Sequence, residues 1–226
     1  MILTPADIKA MTISLKLGLV TTILTLAIGA PLAWWLSGKE GMGRRFIGAL
    51  ATMPLVLPPT VLGFYLLVFL GPRGPVGQLF SYFGMRLLPF TFGGLVFASV
   101  ISSMPFVVQP LRNAFEALGE LPLEAAKTLG AGPVRAFLTV MLPQARPAFL
   151  TAAIMAFSHT LGEFGVVLMI GGNIPDVTRV LSMQIYVYVE MGRAESAHAL
   201  SAILMVFAAI TMVATQCLNP GRGSRT

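Results

Sequence analysis

Five stretches of this sequence are long, apolar and almost free of charge, and together they constrain the fold more than any other feature. Residues 17–36, 46–70, 87–111 and 199–218 contain no Asp, Glu, Lys or Arg, and residues 147–170 contain only His159 and Glu163 as ionisable groups. Each is long enough for the roughly 20 residues that carry a helix across about 30 Å of hydrocarbon. Charged residues make up 11% of the chain, less than half the roughly 25% of a soluble domain. In hydrocarbon the backbone must satisfy its own hydrogen bonds, which selects helices. The expected fold is therefore an all-α integral membrane protein of about five transmembrane helices, with residues 1–226 forming a single membrane domain.

The net charge is +6, without the basic stripe and interleaved aromatics that would suggest nucleic acid. Lysines and arginines at span ends account for it. Positions 37–45, 112–146 and the C-terminal tail carry nine basic residues on one side. Lys9, Lys16, Arg73, Arg86, Arg179 and Arg193 make six on the other. The excess of basic residues marks the cytoplasmic side, so the N-terminus is expected outside and the C-terminus in the cytoplasm. The first apolar run exceeds a signal-peptide core, lacks a small-residue cleavage site and ends in Trp34 and Trp35, which suit an interface. It is expected to be a retained span. Cys217 is the single cysteine, so no internal disulfide or multi-cysteine metal site is expected.

Two apolar regions depart from a plain span. Residues 180–189 are too short to cross and read as a re-entrant or interfacial helix. The second span holds Pro54, Pro58, Pro59 and Gly63. A proline inside a helix removes one hydrogen bond and crowds the preceding turn, so this span is either a kinked packing helix or a broken helix lining a path. Pro105 and Pro110 make the third span breakable in the same way.

The segment 116–147 is the one long amphipathic region outside the spans. Pro122 suits a first helical turn, Glu124 complements the helix dipole and Gly130 is a natural stop. Gly132 and Pro133 begin a second short helix that runs to about Leu142, with Pro143 limiting it. Leu123, Ala126 and Leu129 are expected to form one apolar edge.

Within that segment Glu124-Ala125-Ala126, three residues, Gly130, nine residues and Val140-Met141-Leu142-Pro143 resembles the EAA signature of permease subunits of binding-protein-dependent ABC importers. Val140 in place of isoleucine is the one departure. The resemblance implies a type I permease fold in which this segment forms coupling helices seated on a cytoplasmic ATPase. On that resemblance Glu124, Ala125, Ala126 and Gly130 form the core of the contact. Leu121, Leu123, Lys127 and Leu129 flank it, with Glu116, Ala131 and Pro143 in the same segment. Two further stretches look like the molybdate permease branch: LPPTVLGFYLL in the second span, and HTLGEFGVVLMIGGNIPDVTRVLSMQIY with its Asn-Ile-Pro-x-x-Thr-Arg element at 173–179. Sulfate/thiosulfate and tungstate permeases share much of both. The implied partners are a second copy of the chain, two ABC ATPase subunits, an extracytoplasmic oxyanion-binding protein and the lipid of a prokaryotic inner membrane.

The spans contain no lysine or arginine that would trap a dianion, which leaves hydroxyls as candidate pore donors: Thr60, Ser102, Ser103 and Ser158. Each could instead bond a carbonyl of its own helix. His159 and Glu163, four apart, are expected on one helix face. Glu163 is expected near the outer interface, in a gating or structural role. The outer loops 71–77 and 171–179 are expected to dock the binding protein through Arg73, Asn173, Ile174, Pro175 and Arg179. No Gly-x-Ser-x-Gly or His-Glu-x-x-His run supports an intramembrane enzyme. No phosphate-binding loop occurs, so ATP and Mg are expected on the partner ATPase, with no cofactor on this chain.

Overall fold

The computed structural model describes residues 3–38 and 41–218, so Lys39, Glu40 and the basic tail lie outside the described residues. The helices are α1 (Pro5–Leu36), α2 (Met42–Thr52), α3 (Pro59–Leu70), α4 (Pro75–Tyr82), α5 (Phe92–Leu118), α6 (Leu121–Thr128) and α7 (Pro133–Ala136). They continue with α8 (Leu142–Gln144), α9 (Arg146–Gly162), α10 (Gly165–Gly171), α11 (Leu181–Glu190) and α12 (Ala194–Leu218). A 3₁₀ turn, Met53–Leu55, follows α2, and a π-turn, Phe137–Met141, joins α7 to α8. Among the described residues, α1, α5, α12 and the stretch Pro59–Tyr82 are long and apolar enough to cross a membrane. The pair 134–144 and α9 is apolar enough to be counted with them only if its two parts, bent by 78°, are taken as one span.

α5 is the central helix: 61% of its most apolar window is buried, against 11% for the peripheral α12. Gly94, Ala98, Ser99, Ser102 and Ser103 are buried along it, small residues that let neighbouring backbones approach. α5 packs against α1, α9 and α10. Toward the α6 end, Ala33, Leu36, Val107, Leu111 and Phe115 share a core with Met141 and Ala152. Toward the opposite end, Leu17, Leu95, Val100, Val167 and Met183 form another. Pro105 and Pro110 do not break α5, contrary to expectation, and the helix runs through both. It also begins later than the predicted 87–111 span, because residues before it form a turn in which Phe90 N–H donates to the Ile170 carbonyl at 2.8 Å.

The breaks lie in the second and fourth spans. The second separates into amphipathic α2, the 3₁₀ turn and α3, which restarts at Pro59. The fourth stops at Gly162 and restarts at Gly165. The two restarts meet. A Cβ on Gly165 would lie 2.8 Å from Pro59 Cβ and 3.3 Å from the Thr60 nitrogen. One on Gly63 would lie 2.8 Å from Met169 Cβ and 3.0 Å from Val166 Cα. Two half-length helices thus run side by side from one level, held close by glycines. α11 is a short helix, as read for residues 180–189, and packs on α12 and α1.

The start of α1 is tied to α11 by a buried carboxylate. Thr4 and Asp7 form a capping box. Asp7 Oδ1 accepts from Tyr188 Oη at 2.7 Å and Gln184 Nε2 at 3.1 Å, while Oδ2 accepts from Thr4 N–H and hydroxyl. A buried charge persists only when hydrogen-bonded in this way. Gly63→Val should destabilise the α3–α10 pair by about 1–3 kcal/mol through overpacking. A thermal-unfolding series of the detergent-purified protein checks this, and an unchanged midpoint would show that the two half-helices separate freely.

Candidate functional site

The break in the fourth span determines where its polar residues point. Expected on one helix face with His159, Glu163 instead leaves the helix: it is the C-cap of α9, with φ −70° and ψ 134°. Its carboxylate Oε2 accepts from Ser102 Oγ on α5 at 2.8 Å. Its carbonyl, released from the helical ladder, accepts from Ser182 Oγ on α11 at 2.8 Å. Glu163 is buried. Its partner Ser102 is a buried residue of α5.

His159 makes a separate set of contacts. Its Nδ1 lies 3.0 Å from Ser103 Oγ, and its ring stacks on Phe106 at 4.2 Å between centroids. Ser103 Oγ also meets Thr160 Oγ1 at 3.1 Å. Ser102 and Ser103, expected as pore donors, are thus buried and engaged with α9 and its C-terminal break. Ser158 donates to the Ile154 carbonyl at 2.7 Å and lines a cavity of about 670 Å³ between α5, α9 and α12. Thr211 and Thr215 in the same wall donate to Ala208 and Met212 carbonyls, so these hydroxyl hydrogens turn back into their own helices. Thr60 is exposed in the first turn of α3, at the meeting of the two breaks. Deeper in the bundle the buried hydroxyls of Thr21, Thr22 and Ser99 have no hydrogen-bond partner among the described residues.

The segment carrying the EAA spacing folds as two short helices joined at Gly130. Gly130 has φ +78°, and the Ala131 N–H donates to the Ala126 carbonyl at 3.0 Å, six residues closing on the first as in a Schellman ending. That conformation is what glycine permits at this place in the motif. The expected apolar edge divides. Ala126 is buried and Leu123 packs against the core, whereas Leu129 is 88% exposed and Leu121 79%. Glu124, Ala125 and Gly130 are exposed and Ala131 is half-buried. The side chain of Lys127 lies outside the described residues. Glu116 is not in the knob: it belongs to α5 and pairs with Arg112 at 2.7 Å. Pro143 does not end the second helix, which reaches Gln144 before the chain turns at Ala145. Phe137 anchors the segment, with its ring 4.8 Å from Trp34 and 6.0 Å from Phe115. Trp34, expected at a lipid interface, is half-buried in that contact.

The loop 171–179 is built on Thr178, which the Asn-Ile-Pro-x-x-Thr-Arg element contains but the expected docking set left out. Buried Thr178 donates to the Gly171 carbonyl at 2.6 Å and accepts from Ile174 N–H at 2.9 Å. Arg179 is folded back onto Asn173, donating to its Oδ1 at 2.9 Å and its carbonyl at 3.3 Å. Ile174 and Pro175 are exposed at the tip, and Asp176 pairs with Lys9 at 3.1 Å. Arg73 is exposed on the other loop, in the turn before α4. The threonine of that element was the available signal for this role of Thr178. The Thr4-x-x-Asp7 box was the signal for the Asp7 anchor.

Residues 18–223 match the family described as binding-protein-dependent transport system inner membrane component. The chain belongs to this family. The molybdenum transport system permease protein ModB of Azotobacter vinelandii is 55% identical, with 92% of each chain covered. The sulfate transport system permease protein CysT of Salmonella typhimurium is 31% identical, covering 98% of this chain and 79% of that one. Among solved structures, a bacterial ABC transporter that imports the acidic polysaccharide alginate superposes with a TM-score of 0.76 at 17% identity, covering 97% of this chain and 81% of its counterpart. That likeness gives the importer permease fold. The permease is thus a multi-pass inner-membrane transport component.

Replacing Gly130 by alanine puts an L residue at φ +78°, at a cost of about 1–2 kcal/mol. Hydrogen exchange at the Ala131 amide should then quicken by about five- to thirtyfold. An unchanged rate would mean that the permease holds this turn without its glycine.

Proposed function

We propose that this chain is the membrane subunit of an ATP-driven importer that passes molybdate inward by alternating access. Two copies pair around the path. Each seats its 116–147 segment on one of two cytoplasmic ABC ATPases, and an extracytoplasmic oxyanion-binding protein delivers the cargo to the opposite face. The N-terminus lies outside and the C-terminus in the cytoplasm. The observation that carries the reading is the coupling knob: a Gly130-turned helix pair with Leu121 and Leu129 exposed, in a chain without a phosphate-binding loop of its own. Large exposed apolar side chains on a compact knob are what a partner groove buries. Glu124, Ala125 and Gly130 allow close approach there, while Ala126 and Leu123 hold the knob to the bundle.

The cargo assignment rests on the ModB relative, at 55% identity against 31% for the sulfate permease. The absence of Lys and Arg from the apolar spans suits a conduit that must not retain a dianion. Thr60, at the start of half-helix α3, offers a hydroxyl and the positive end of a helix dipole in place of a fixed cation. Ile174, Pro175, Asn173, Arg179 and Arg73 are the face offered to the binding protein. Ser102, Ser103 and Glu163 act as a gate, joining the helices that must part, and Ser158 lines the cavity beside them.

Radiolabelled molybdate uptake into vesicles holding the permease, its ATPase and its binding protein tests the cargo. ATP-dependent uptake that survives excess sulfate and yields to tungstate is expected. ATP-dependent sulfate uptake without molybdate uptake would overturn molybdate and keep the importer. In the same vesicles Glu163→Gln keeps an acceptor for Ser102 but replaces the carboxylate by a weaker one. Hydrogen bonds to charged and to neutral acceptors differ by about 1–1.5 kcal/mol, so coupling of uptake to ATP hydrolysis should fall about five- to tenfold. Unchanged coupling would remove Glu163 from the gate.

A further inference from the structure

Glu163 is held at two places, by its side chain and by its backbone. The carboxylate accepts from Ser102 on α5, whereas the carbonyl accepts from the Ser182 hydroxyl at 2.8 Å. That carbonyl follows the end of α9, at ψ 134° and outside the helical ladder. A main-chain carbonyl freed inside an apolar bundle needs a donor from another element. Ser182, in the first turn of α11, reaches out of its own helix to supply it.

The Ser182–Glu163 bond closes a ring in the chain. Residues 164–181 lie inside that ring and hold α10, the loop 172–179 and the start of α11. The loop is braced by its own bonds. Thr178 ties it to the Gly171 carbonyl, Arg179 folds back onto Asn173, and the Ile174 carbonyl accepts from the Thr178 and Arg179 amides, each at 3.0 Å. A loop cross-braced in this way moves as a piece rather than flexing at its tip. The tip carries Ile174 and Pro175, and the loop runs through Val180 directly into the turn that holds Ser182.

On its other side this turn is backed by α1. Ser14 accepts from the Leu181 N–H at 2.7 Å, and Asp7 accepts from Gln184 and Tyr188 further along α11. Lys9 of α1 pairs with Asp176 of the loop at 3.1 Å. The loop, α11 and the start of α1 therefore form one polar-bonded unit. Toward the break in the fourth span this unit presents Ser182 and Tyr186, whose ring lies 5.2 Å from that of Phe164. A ring contact can slide, but a short hydrogen bond is directional. A displacement of the loop thus loads the Glu163 carbonyl, and through the same residue the carboxylate that Ser102 holds.

On the docking face and the gate proposed above rests a further role. We propose that Ser182 is a positioning residue, which passes a displacement of the docked loop to Glu163. It sets the direction of the Glu163 side chain through the carbonyl and touches no cargo itself.

ATP hydrolysis by the permease–ATPase complex in lipid nanodiscs, measured with and without the binding protein, tests this. The readout is the ratio of stimulated to unstimulated rate, which a uniform loss of active complex leaves unchanged. Ser182→Ala should lower that ratio about fivefold, the change that one neutral hydrogen bond represents. Ser182→Cys, close in size but a weaker donor, should fall between Ser182→Ala and wild type. Ser182→Thr should stay within about twofold of wild type. Ser14→Ala removes a bond from the same turn on its α1 side, and should also keep the ratio within about twofold. A stimulated wild type with an equal ratio in Ser182→Ala would overturn the role of Ser182 and leave the importer standing. An equal loss in Ser14→Ala would overturn it too, because loosening α11 anywhere would then suffice. A wild-type complex that its binding protein does not stimulate would sink the docking face, and this role with it.

Discussion

The rest of the bundle depends on the contact between two broken helices. α3 and α10 are each too short to cross the hydrocarbon, and each leaves first-turn amides without helical partners. Isolated in lipid, either end would be costly. Placed together, with Gly165 against Pro59 and Gly63 against Val166 and Met169, they share one protected discontinuity. The breaks also free Glu163 from the helix, so that its carbonyl and carboxylate reach α11 and α5 separately. One constraint thus sets the packing and the polar network together.

Much of this was legible in the sequence. Apolar length gave the spans, Pro58-Pro59 marked the second break, and the EAA spacing located the knob and its Gly130 turn. The break after Gly162 was not read, since no proline marks it and the two glycines that flank Glu163 and Phe164 are weaker signals than a proline. A helical count through that region placed Glu163 on a shared face with His159, an arrangement that the break removes. Pro105 and Pro110 failed in the opposite sense: α5 is packed on several sides, and the energy of that burial outweighs two lost hydrogen bonds. Local propensity decides where tertiary contact is thin, and contact decides where it is dense.

The coupling segment shows the same limit at smaller scale. A three-residue spacing put Leu123, Ala126 and Leu129 on one edge, but the helix is only eight residues long and its last turn ends in a left-handed glycine. Leu129 therefore turns outward while Ala126 packs inward. The spacing of the motif was readable, whereas the division of its residues between bundle and surface required the anchor. That anchor is Phe137, in a π-turn, wedged between Trp34 and Phe115.

Chain order links the knob to the polar network. The segment 121–144 connects the end of α5 to the start of α9, and the network joins those same two helices. Ser103 meets His159 and Thr160, and Ser102 meets Glu163 just past the end of α9. A displacement of the knob relative to the spans therefore acts on α5 and α9 together, and its shear falls on three side-chain hydrogen bonds in a low-dielectric interior. Such contacts are expensive to leave half-made, so the pair should favour either the joined arrangement or one in which the groups find other partners. Thr21, Thr22 and Ser99, buried without partners, are hydroxyls that such a rearrangement could engage. A network of this kind gives two states where a purely apolar interface would slide.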